Sequence, residues 1–169
     1  MTIHASHPFA DDQRDQARAL RGRLGGRVCL LTAGEGRARA GWTVSSLLLV
    51  DGPQWQVVAM VDPDSDLAER IGQTGRAVLH LLEGPHRYLA DVFAGLAPAP
   101  GGAFRGKGWT QTNHGPRLDE VGNWAALELE HSTELGWSQA LVLRVVEAVT
   151  DADPQPLHHV RGHYRTLED

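Results

Sequence analysis

The chain has 169 residues, 41% apolar and 22% charged, the size and balance of one globular domain with a full core rather than a disordered polymer. A net charge of -5 with a pI near 6.0, and no dense Lys/Arg cluster, excludes nucleic acid as the main partner. The single cysteine, Cys29, excludes an intrachain disulfide and a cysteine-based zinc cluster, and no run approaches the roughly 20 apolar residues that span a bilayer.

In chain order, residues 9–24 have helical spacing at Ala17, Leu20 and Leu24, with Asp11 or Asp12 to cap the start and Gly25-Gly26 to stop it. Residues 27–32 read as a strand, and Gly34-Glu35-Gly36 turns the chain back. After a second turn at Gly52-Pro53, residues 55–61 form a strand. Asp64 or Ser65 then caps a helix that Gly75 ends. A strand over 78–82 is followed by a short helix over 86–95, opened by Pro85. Residues 96–118, rich in Pro and Gly, read as one long irregular segment, and loops of that length are commonly functional.

Residues 124–131 alternate as a half-exposed antiparallel strand does, with Ala125, Leu127 and Leu129 opposite Glu128 and Glu130. Residues 141–149 and 158–164 complete the set. About seven strands with three helices and short turns predict a mainly β fold, an antiparallel β-barrel with peripheral helices, as a single domain over 1–169. The N-terminal His4, His7, Asp11 and Asp12 leave no apolar signal core, so a cytoplasmic location is expected.

The most distinctive run is Gly41-Trp42-Thr43-Val44-Ser45-Ser46, placed between the apolar stretches 28–32 and 47–50. Small and hydroxyl-bearing side chains there leave backbone N–H groups and Ser/Thr oxygens for a flat, polar-edged ligand. The same residues also suit a plain strand. Other candidate chemistry is sparse. On a single strand His158 and His159 point to opposite faces, so the His158, His159, His163 group does not converge on a metal ion. Ser45 and Ser46 lack the Gly-x-Ser-x-Gly elbow of a serine nucleophile, and no helix follows Gly34-x-Gly36 as a dinucleotide fingerprint requires. No side chain is singled out as a catalytic acid or base.

Taken in sequence, these pieces resemble the flavin reductase-like, FMN-binding split-barrel family. The resemblance runs through Gly41 to Ser46, Pro53, the strand 55–61, Asp62 to Ser65, Gly75-Arg76-Ala77-Val78-Leu79-His80, Phe93-Ala94-Gly95, Trp109, and the ending Arg161, Gly162, Tyr164, Arg165. It implies a six- to seven-stranded split barrel of Greek-key type that forms a homodimer, with FMN or FAD in a groove and NAD(P)H as the electron donor. The implied function is transfer of hydride to a flavin or related acceptor. The implied ligand residues are Thr43, Val44, Ser45 and Ser46 at the flavin ring, Ser65 at the phosphate, His80 at the ring edge, and Arg161 with Tyr164 at the rim.

Three positions depart from the family's pattern. Asp66 and Leu67 stand where the family has a basic residue and a threonine. His80 replaces a strand asparagine, and Gly136-Trp137-Ser138 replaces a Gly-Asp-His segment associated with the nicotinamide donor. These departures leave a second expectation open: a non-catalytic barrel that binds FMN or another flat ligand.

Overall fold

A computed structural model describes residues 12–106 and 108–167. Helix α1 (Asp12–Leu24) leads into β1 (Gly26–Arg27) and β2 (Cys29–Ala33). The expected helix start at Phe9 and the cap at Asp11 lie outside the described residues. A 3-10 turn at Gly36–Ala38 connects to β3 (Ala40–Val44), and β4 (Leu47–Val50) and β5 (Gln56–Val61) follow. Then come α2 (Asp66–Thr74), β6 (Arg76–Leu81) and α3 (Arg87–Phe93). The remainder is all strand: β7 (Trp109–Thr112), β8 (Gly115–Leu118), β9 (Trp124–Leu135), β10 (Ser138–Val149), β11 (Leu157–Val160) and β12 (His163–Thr166).

Seven strands form one antiparallel sheet in the order β3-β2-β6-β9-β10-β5-β4. β3 and β4 lie at opposite ends of that order, yet only Ser45 and Ser46 separate them in sequence. Laid flat, the sheet would set them six interstrand spacings apart, roughly 29 Å at about 4.8 Å each. Three Cα–Cα steps span at most about 11 Å. The sheet must therefore roll, and it curls into a half-barrel. The main-chain bond from Met60 N–H to the Ser46 carbonyl, 3.0 Å, carries the β4–β5 pairing into this crossing.

Rolling leaves two apolar faces to cover. Inside, Leu31, Val57, Ala59, Leu127, Leu141 and Leu143 pack together, and α2 closes them with Leu67, Ala68 and Ile71. Outside, Val28, Leu30 and Leu82 are covered by Leu89, Ala90 and Phe93 of α3 and by Leu118, Val121 and Leu157. β2 is buried along its whole length because both faces are covered.

Two stretches differ from the sequence reading. Residues 96–118 are not wholly irregular, because β7 and β8 pair as a hairpin. The hairpin is tied to the sheet by the Thr32 hydroxyl, which donates to the Pro116 carbonyl at 2.6 Å. The last strand is likewise a hairpin, β11 with β12, turning at Arg161 (φ 51) and Gly162 (φ 78). Two residues at positive φ are the tight turn that suits the twist of paired strands. Arg161 carries that conformation without being glycine, which no spacing rule reveals.

Candidate functional site: a cleft along the free edge of β3

Among the described residues β3 pairs only with β2, which leaves its other edge open. A cleft of about 650 Å³ runs there, a volume typical of small-molecule sites. Ala40, Gly41 and Trp42 of β3 form one side and Asp66 with Leu67, the first residues of α2, another. Val92 and Phe93 close α3's side, and the loop 101–105 completes the wall. An unpaired strand edge offers alternating N–H donors and C=O acceptors, the pattern that a flat heterocycle with a polar rim can read.

The floor depends on one missing side chain. A Cβ on Gly41 would lie 2.6 Å from Cε1 of Phe93, so only glycine lets that ring lie against the strand. Phe93 then meets Phe104 edge-on at 5.1 Å and Trp109 at 6.0 Å. The guanidinium of Arg39 sits over Phe104, 5.0 Å from the ring centroid, and its Nε donates to the Gly36 carbonyl at 3.0 Å. Arg37 and Arg105 line the same cleft. Among the described residues none of these three arginines is in an ion pair, and the one carboxylate at the cleft is Asp66.

The residues singled out from sequence lie around this cleft unevenly. The Thr43 hydroxyl donates to the Ala90 carbonyl at 2.7 Å, binding β3 to α3. Val44 is buried in the inner core, Ser45 is exposed, and Ser46 belongs to the crossing from β3 to β4. Ser65 caps α2: its hydroxyl donates to the Asp62 carbonyl at 2.7 Å and accepts from Ala68 N–H at 3.2 Å. The strand edge and the helix tip thus share one cleft, through Trp42 and Asp66, the immediate neighbours of Thr43 and Ser65.

Three of the expected ligand residues have other partners in the fold. His80 is fully buried. Its Nδ1 donates to the Leu30 carbonyl at 3.1 Å and its Nε2 accepts from Leu118 N–H at 3.0 Å, so no ring atom is left for a ligand. Burial lowers its pKa to about 4 and keeps it neutral. Arg161 sits at the β11–β12 turn, where its N–H reaches the Gly22 carbonyl of α1 at 2.8 Å. Its surface there is shared with Arg18 and Arg23, away from the β3 cleft. The Tyr164 hydroxyl donates to Asp91 Oδ1 at 2.8 Å under α3, and burial together with that carboxylate raises its pKa.

Arg37, Arg39, Arg105 and Phe104 were not singled out by sequence reasoning. Their only signals were an Arg-x-Arg pair just before Gly41 and a position inside the long Gly-rich segment.

The architecture is the half-barrel of flavin reductases. One similar solved structure is the NADH:FAD oxidoreductase of Streptomyces globisporus C-1027, at 19% identity, TM-score 0.82, and coverage of 94% of this chain and 95% of that one. Another is the styrene monooxygenase flavin reductase of Pseudomonas putida S12, at 20%, 0.78, 90% and 97%. A third is the flavin reductase component of a bacterial two-component tryptophan halogenase, at 20%, 0.81, 94% and 99%. A sequence comparison with curated proteins finds no match. Residues 21–168 match the family model described as the flavin reductase like domain, and the chain belongs to that family.

Proposed function

We propose that the chain binds a flavin nucleotide, FMN or FAD, along the free edge of β3 and works as an NAD(P)H-dependent flavin reductase. The observation that carries this reading is an aromatic-walled, arginine-lined cleft of nucleotide size on an unpaired strand edge. The residues present fit such a group. Backbone groups of 40–42 face the polar rim of a ring, and Trp42 and Phe104 offer aromatic faces. Val92 and Phe93 keep one side dry, and the arginines balance phosphate charge. Thr43 supports the edge through α3, while Ser65 fixes the first turn of α2.

The bound flavin supplies the hydride chemistry, and the protein supplies orientation and exclusion of water. Two of the structural neighbours are named as an NADH:FAD oxidoreductase and as the flavin reductase of a monooxygenase, which supports the same donor and product class here.

The reading includes a homodimer and a cytoplasmic location. A second apolar cleft of about 410 Å³, walled by Leu47, Leu49, Trp55, Val145 and Val149, opens beside the exposed Leu48, and a second copy would cover it. The buried, unpaired thiol of Cys29, its pKa pushed up to about 12, is at home in a reducing compartment.

The non-catalytic reading rests on Asp66 and Leu67 at the start of α2 and on Gly136-Trp137-Ser138 at the tip of the β9–β10 hairpin, where Ser138 stands in the place of the family's histidine and the neighbouring Trp137 is exposed. Flavin titration followed by NADH and NADPH oxidation assays separates the two. Flavin binding with nicotinamide oxidation supports the reductase, and binding without oxidation supports the binder. No binding of any flavin overturns both.

A further inference from the structure

We infer that the phosphoryl end of the bound nucleotide lies on the wall formed by Arg37, Arg39 and Arg105 and not at the N-terminus of α2. The inference rests on the flavin reading above and adds where the anion is held and by which residues.

At the helix tip the Ser65 hydroxyl and the Ala68 N–H are already taken by the chain itself. Ser65 Oγ spends its proton on the Asp62 carbonyl and accepts from Ala68 N–H, and the Ser65 carbonyl accepts from Glu69 N–H. The next residue, Asp66, puts a carboxylate on the cleft. A phosphate there would meet a like charge, which repels it most strongly where the protein surface displaces water.

The opposite holds at the arginine wall. It is built from two separate elements, the turn before β3 and the loop after α3, which both face the cleft. Three guanidiniums against one carboxylate leave the cleft positive in a chain whose net charge is -5. Arg39 is oriented by Phe104 and the Gly36 carbonyl, both of which engage it away from its two terminal nitrogens. A planar fork with free N–H groups is the geometry that phosphate oxygens accept. The loop is fixed beside Arg105 by Phe104, which packs against Phe93 and Trp109, and by the bond from Arg105 N–H to the Gly102 carbonyl at 3.1 Å.

The test titrates riboflavin, FMN and FAD into the wild-type protein, the double variant Arg37→Gln/Arg105→Gln, and Ser65→Ala. Both arginines are exposed, so the double variant keeps the core intact. The expected result is a loss of at least tenfold in FMN or FAD affinity in the double variant, with riboflavin affinity within twofold. Ser65→Ala should leave the ratio of FMN to riboflavin affinity unchanged. A loss shared by FMN and FAD assigns the wall to the phosphate common to both, and a loss confined to FAD assigns it to the diphosphate bridge.

Unchanged FMN and FAD affinities in the double variant would overturn the inference, as would an equal loss in Ser65→Ala. Should riboflavin, FMN and FAD all fail to bind the wild type, the flavin reading is what fails. Inorganic pyrophosphate then tests the wall alone: binding abolished in the double variant upholds it, and no binding to the wild type overturns it.

Discussion

His80 shows how burial converts a candidate ligand into a structural tie. Its two ring nitrogens join β2 to the end of β8, one as donor and one as acceptor, which selects the neutral tautomer protonated on Nδ1. A proton on Nε2 would break the bond to Leu118. The unfolded chain takes up that proton below about pH 6.5, whereas the folded protein resists until about pH 4. Stability therefore falls as pH drops through that window, by up to about 3 kcal/mol from this group. Urea midpoints measured between pH 7 and pH 4 should show the fall, and His80→Gln should be less stable at pH 7 with a shallower pH slope.

Among the elements, α2 is the one whose ends are written in the sequence. Ser65 caps the start and Gly75, at φ 68, accepts the left-handed conformation that ends it, its N–H bonding to the Ile71 carbonyl at 2.8 Å. Ser65→Ala should cost about 1 kcal/mol, and Gly75→Ala about as much because alanine resists positive φ. The two sites sit at opposite ends of the helix with no shared partner, so the double variant should lose the sum. Thermal melts of the three variants check this.

The β7–β8 hairpin was not legible in the same way. Its strands are four residues long and Pro116 interrupts the second, so neither alternation nor propensity rises above the surrounding glycines. The hairpin exists because Leu118 and Trp109 have an apolar surface under α3 to cover, a fact about packing rather than about residues 96–118 themselves.

At the scale of the molecule, the rolled sheet explains both its clefts. One end strand, β3, leaves an unpaired edge along the candidate cleft, and the other end, β4 with β5 and β10, leaves an apolar opening. Leu49 is 60% exposed and Trp55 50% exposed there, more apolar surface than a lone chain hides. On the homodimer reading, Leu49→Lys with Trp55→Lys should shift the species from dimer to monomer in sedimentation or light scattering while the far-ultraviolet spectrum is kept. A wild-type monomer at tens of micromolar would remove the dimer from the proposed function.

The sequence by itself determined the periodicities, the helix caps, and the ordered series of short motifs that points to the family, because these depend on neighbours within a few residues. It also marked Thr43 to Ser46 as unusual, although their spacing could not say that they are the seam where the chain crosses from one end of the sheet to the other. Tertiary structure alone decided which side chains face the cleft. Phe93 reaches Gly41 across some fifty residues, and Arg105 joins Arg37 and Arg39 from the far side of α3. It also gave His80 and Tyr164 partners inside the fold, since whether a polar side chain is free or spent depends on groups that only folding brings within hydrogen-bonding distance.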